Sequence, residues 1–197
     1  MLATFDMLTI AQHFRHRPLS VSRGEVHLFA YLACLMYIYK NKSQTANGWG
    51  YTFAATPSGA PFSVELDAEL ERLLRNGLIT LQDDTLKLTG EGLAQQEWLR
   101  MLELNSIRIE FLEAATSSKL AIPSGVMRSA FASDQDAITA TNLGKSRELF
   151  TPRSIPKLQE DFDALREVLG SSASDLLAAS VLWLTYLDNE SLTLGNR

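Results

Sequence analysis

His13 and His16 stand three residues apart, a spacing that sets two imidazoles on one helix face and would make half of a zinc site if further ligands were supplied. His27 is the remaining histidine, and no carboxylate is placed to complete the set, so a surface role fits the pair better. Leu143-Gly144-Lys145-Ser146 has the ending of a phosphate-binding loop. The earlier glycine position holds Thr139, and no strong strand precedes it. Asp134-Gln135-Asp136 starts like a calcium loop, but Ile138 follows where a ligand is needed, and a helix start is the better reading. G-x-S-x-G and H-E-x-x-H are both missing. The expectation is a non-enzyme with no catalytic residue, no cofactor and no metal.

Charge is more informative. His13, Arg15, His16, Arg17 and Arg23 make the N-terminal quarter locally basic against Asp6 and Glu25, and Lys40 and Lys42 extend the patch. Two readings stay open: a solvated turn, or a contact for phosphate or an acidic partner, which arginine forks suit. Residues 61–92 reverse the sign. They hold Glu65, Asp67, Glu69, Glu71, Asp83, Asp84 and Glu91 against Arg72, Arg75 and Lys87. Docked into a DNA groove, this helix would set carboxylates against phosphates. Aromatics gather around residues 31–51 (Tyr31, Tyr37, Tyr39, Trp49, Tyr51), with Trp183 and Tyr186 near the end. Such residues serve either a core or a partner surface.

The 197 residues suffice for one domain with a substantial extension. Hydrophobic content of 46% and charged content of 21% argue for a folded chain, and a net charge of -5 argues against a dedicated nucleic-acid binder. The single cysteine, Cys34, excludes a disulfide framework and fits a reducing compartment. The start, MLATFDMLTIAQHFRHRP, lacks a signal-peptide order. The longest apolar run, VHLFAYLACLMYIY, falls short of the roughly twenty residues a bilayer span needs. A cytoplasmic protein without a membrane segment is expected.

These residues must be positioned by a mainly α fold. Periodicity predicts a short helix near 4–16 ended by Pro18, then a long helix near 24–41 capped by Ser22, with Glu25 near its positive end. That second helix is apolar almost all round, as a central or covered helix would be. Residues 41–61 read as a loop with a possible strand at Tyr51–Ala55. Ser63 caps the next helix, whose buried stripe is Leu66, Leu70, Leu73 and Leu74, and Asn76-Gly77 stops it. Ile79 and Leu81, then Leu86 and Leu88, alternate about a turn at Asp83-Asp84. A single helix is expected from Glu91 to about 115, with Leu93, Trp98, Leu102 and Ile109 inside. Residues 116–154 read as a linker with short helices. The chain closes with a helical hairpin burying Ile155, Leu158, Phe162, Leu165 and Leu169, then Leu177, Val181 and Leu184 behind a Ser174 cap. Helix, hairpin and helix in this order predict a winged-helix domain with a small β-hairpin wing over 1–115, a linker over 116–154 and a C-terminal helical extension over 155–197.

The pattern Pro61-Phe62-Ser63, Glu65-Leu66, Leu70, Leu73, Gly77-Leu78-Ile79 and Leu86-Lys87-Leu88-Thr89-Gly90-Glu91-Gly92 resembles the middle component of bacterial ABC-three-component systems, the group that includes Lamassu-type antiphage defence. The resemblance spans about residues 20–95. It implies a non-enzymatic accessory subunit beside an SMC-like ABC ATPase and a nuclease-type effector, and it supplies no catalytic residues. Within that expectation, protein contacts fall to Glu65, Glu69 and Arg72 on the acidic helix and to Trp183 and Tyr186 at the end. A minor, sequence-independent DNA contact falls to Arg15, Arg17, Arg23, Lys40 and Lys42. The alternatives are a winged-helix DNA-binding transcription regulator using the basic region, and an antitoxin-like partner of a small toxin.

Overall fold

Ser22 begins the fold's central helix with a reciprocal cap: its side chain accepts from the Glu25 backbone, and the Glu25 carboxylate accepts from the Ser22 backbone. The computed structural model describes residues 1–41 and 46–194. It is mainly helical, with two small antiparallel sheets. Helix α1 (Leu2–His13) and helix α2 (Arg23–Lys40) are both apolar on nearly every side, and both are buried. Short strands β1 (Ala54–Ala55) and β2 (Pro61–Phe62) pair and lead into helix α3 (Val64–Arg75). Leu66, Leu70 and Leu73 of α3 are fully buried, and Leu74 is half-buried.

Strands β3 (Ile79–Gln82) and β4 (Thr85–Leu88) form a hairpin in the register Ile79–Leu88, Leu81–Leu86. Asp83 and Asp84 both take positive φ at its tip, as a two-residue hairpin turn requires. Helix α4 (Gly90–Arg100) starts from Thr89, whose hydroxyl accepts from the Gly92 backbone 3.0 Å away and lies 3.0 Å from the Leu78 carbonyl. A Cβ at Gly92 would stand 1.9 Å from that same carbonyl. Thr89 and Gly92 therefore clamp helix to hairpin, which explains the Thr-Gly-Glu-Gly run in structural terms.

The single helix expected from Glu91 to about 115 is two helices. Helix α5 (Glu103–Ser117) starts after a break at Met101–Leu102. Asn105, buried, donates from Nδ2 to the Leu99 carbonyl at 2.8 Å and so satisfies a terminal group of α4. Trp98, expected inside, is 52% exposed, because α4 turns Gln96 and Leu99 to the core and leaves Trp98 on its outer side. Residues 116–154, read as a linker with short helices, hold short helices that pack into the core. Helix α6 (Ser124–Ala132) and helix α7 (Gln135–Leu143) bury Met127, Ala130, Phe131, Ala137 and Ala140. Strand β5 (Arg147–Glu148) then joins β1 as the third strand of its sheet.

Helix α8 (Ser154–Leu169) buries Ile155, Phe162 and Leu165 as expected from spacing, with Leu158 and Leu169 partly covered. Helix α9 (Leu176–Leu194) packs chiefly against α6 and α5. Its phase differs from expectation: Asp175, and not Ser174, caps it by accepting from the Leu177 and Ala178 backbones. Leu176, Ala179, Trp183, Leu184 and Leu187 are buried, while Leu177 is 39% exposed. Among the described residues no helix is long and apolar enough to cross a membrane.

Candidate functional site

Helix α3 owes its placement to Ser63, whose hydroxyl caps it by accepting from the Leu66 backbone, and to the core stripe beneath. Its exposed face is occupied by its own neighbours. Arg23 of α2 reaches across to Asp67 at 2.7 Å and Glu71 at 2.6 Å. Arg72 pairs with Glu69 at 2.6 Å, and Glu65 accepts from the hydroxyls of Ser63 and Thr52, each at 3.1 Å. Burial works against the Glu65 and Glu69 charges, yet these hydrogen bonds hold both carboxyls below the usual range. Beneath them His27 is buried against Phe62, and its Nδ1 accepts from the Ser63 backbone at 3.2 Å. Its Nε2 lies 3.6 Å from Asp67. Burial lowers its pKa to about 4 despite that carboxylate.

The predicted basic patch is divided. Arg23 is held by Asp67 and Glu71, and Lys40 by Glu110 at 2.7 Å. Lys42 lies outside the described residues. Arg15 and Arg17 remain together on a crevice of about 290 Å³ between the α1–α2 connection and β4, where Lys87 joins them over Phe14 and Leu86. Among the described residues neither Arg15 nor Arg17 forms an ion pair. His13 is half-buried and His16 exposed. Burial, with Arg17 nearby, lowers the His13 pKa to about 4. No cluster that could hold a metal occurs among the described residues. Asp134 caps α7 through the Asp136 and Ala137 backbones, and Gly144 ends that helix in a left-handed conformation. Both motif-like stretches thus serve as helix ends.

One buried ion pair was passed over by sequence reading. Asp6 of α1, fully buried, accepts two hydrogen bonds from Arg108 of α5 and one from the Tyr51 hydroxyl at 2.6 Å. Arg108 also donates to the Trp49 carbonyl at 2.7 Å and stacks 3.6 Å over the Trp49 ring. Burial pushes the Asp6 carboxyl up against the opposing pull of Arg108. Burial also opposes the Arg108 charge, but Asp6 outweighs it and holds the guanidinium above its ordinary value. The cluster ties α1, the 46–51 segment and α5 together, and its chemistry is structural.

Of the residues expected at a protein interface, Glu65, Glu69 and Arg72 lie on α3 in the pairs just described. Trp183 is only 4% exposed, edge-on to Phe162, and belongs to the core. Tyr186 is 41% exposed beside it. Trp98, expected inside, is exposed, and Met101, Leu104 and Ile107, which sequence reading did not single out, are exposed with it. No family model matches the chain, and neither a curated protein nor a solved structure matches it.

Proposed function

We propose that this chain is a non-enzymatic accessory subunit, a winged helix used as a scaffold for protein contacts, which binds an SMC-like ABC ATPase alongside a nuclease-type effector in an antiphage defence complex. The order of α1, α2, α3, the β3–β4 hairpin and α4 supports reading the hairpin as the wing. The observation that carries the proposal is the outer face of α3. The helix that would read a DNA groove carries Glu65, Asp67, Glu69 and Glu71, and Arg23 and Arg72 are spent on those carboxylates. Such a face repels phosphate.

The test is purification of the tagged chain from its native host through a salt wash, followed by mass spectrometry. A large coiled-coil ATPase that co-purifies at constant stoichiometry is the expected result; a lone monomer under all conditions overturns the proposal. A DNA-binding regulator is the second reading, favoured by Arg15, Arg17 and Lys87 around one crevice. It requires salt-sensitive duplex binding by the isolated chain, lost on R15E/R17E.

A further inference from the structure

Helices α4 and α5 each bury one face: Gln96 and Leu99 on the first, Asn105, Arg108, Phe111 and Leu112 on the second. Near the junction of the two helices, Trp98 of α4, Met101 of the break, and Leu104 and Ile107 in the first turns of α5 are 52%, 76%, 54% and 59% exposed. The row steps along the chain at intervals of three, with Met101 in the break between the helices. Leaving large apolar side chains in water forgoes the free energy that burial would release. Single exposed apolar residues are ordinary, but four large ones within ten residues of chain are the pattern of a surface that is covered by something else.

The charges around the row say what covers it. Glu97, Glu103, Glu110 and Glu113 are exposed on the same two helices. Lys40 answers Glu110 at 2.7 Å, and Arg100 approaches Glu113 only to 4.0 Å. Arg108 is turned inward to Asp6. The row therefore has an acidic border. A second copy of the chain in a two-fold contact would bring acidic border to acidic border, on a molecule of net charge -5. An anionic lipid surface would meet the same repulsion.

We infer that the face formed by Trp98, Met101, Leu104 and Ile107 docks a helix of a partner protein that carries an apolar stripe flanked by Lys and Arg. The inference rests on the reading of the chain as a protein-binding subunit and names where the partner sits and what chemistry it presents. The contact is helix against helix face, with apolar anchors at i, i+3, i+4 and i+7 on the partner and basic residues reaching Glu97 and Glu103. Trp98, the largest of the four side chains, is the anchor of this surface, as tryptophan commonly is.

Trp98 also reports on the contact, because Trp49 is 0% and Trp183 4% exposed. Two tryptophan-free synthetic helical peptides serve as probes, identical in their leucine stripe and flanked by Lys in one and Glu in the other. Tryptophan emission and acrylamide quenching are followed on titration into the full chain. The Lys-flanked peptide is expected to bind saturably, shift emission to the blue and shield Trp98. The Glu-flanked peptide and the L104D/I107D variant, checked for unchanged far-UV circular dichroism, should each weaken binding about tenfold or more. Equal binding of the two peptides, binding indifferent to the double substitution, or concentration-dependent shielding of Trp98 by the chain alone would overturn the inference, the last in favour of a second copy. The host purification separates the two proposals. An ATPase retained by both wild type and L104D/I107D leaves the accessory role standing and removes this face. An ATPase found with neither removes the accessory role, while the peptide titration still decides the face.

Discussion

Helix α3 buries leucine and shows paired charge; helix α5 buries polar groups beside its apolar ones and shows two large apolar residues among its glutamates. In α3, Leu66, Leu70 and Leu73 are buried, while Glu69, Arg72, Asp67 and Glu71 neutralise one another or Arg23 at the surface. In α5, Arg108, Asn105 and Thr116 are buried beside Phe111 and Leu112, and Leu104 and Ile107 face water. Both helices hold an interhelical arginine–aspartate pair, one at the surface and one in the interior. The difference teaches where interaction free energy is still available. The α3 face has already satisfied its groups within the chain, so a partner arriving there must displace ion pairs. The α5 face has satisfied only its inner side.

Replacing one arginine from each pair tests that contrast. R108M leaves the fully buried Asp6 without its cation and should cost about 3–5 kcal/mol in urea unfolding. R23M breaks a half-exposed pair and should cost about 1 kcal/mol or less. D6N/R108M should regain part of the loss, since no charge is then stranded. Equal costs for R108M and R23M would mean that burial does not distinguish the pairs, and the comparison would collapse.

His27 sharpens it from the α3 side, where the surface network meets the core. Asp67 and Arg23 face this imidazole, and burial keeps its folded pKa at about 4 against 6.5 in the open. Between those values the unfolded chain binds a proton that the folded chain refuses, so stability falls as pH drops from 6.5 to 4. The full swing is about 3 kcal/mol. His13 titrates with the same sign, so H27N should flatten the slope without abolishing it. Urea melts at pH 7 and pH 4.5 decide: identical slopes for wild type and H27N would place the proton elsewhere.

What the sequence made legible follows the same physics. Ser22 with Glu25, Ser63, the leucine stripe of α3 and the Asp83-Asp84 tip are local signals, and the structure places a helix start or a turn at each. The α4–α5 break has no local signal. Neither glycine nor proline marks Met101-Leu102, and the cause, Asn105 reaching back to Leu99, is visible only in three dimensions. Short helices were legible within 116–154 but their bounds were not, because α6 and α7 are 9 residues each, too short to show a clear period. The Asp6–Arg108 pair joins positions 102 residues apart, beyond the reach of any spacing rule.

The smallest expected effect is the most telling about α5. If Leu104 and Ile107 were exposed to serve the fold, making them polar would destabilise it. L104Q/I107Q should instead change unfolding free energy by no more than about 0.5 kcal/mol, the range for surface positions without special contacts. The same change at Leu66 and Leu70 of α3 would leave buried amides without partners in a packed core and should abolish folding. A loss well above that range for L104Q/I107Q would mean that the row is supported by the chain itself, and the inverted character of α5 would need a structural explanation. A negligible loss leaves Leu104 and Ile107 in water with no duty to the fold, and a duty toward another molecule is then what accounts for them.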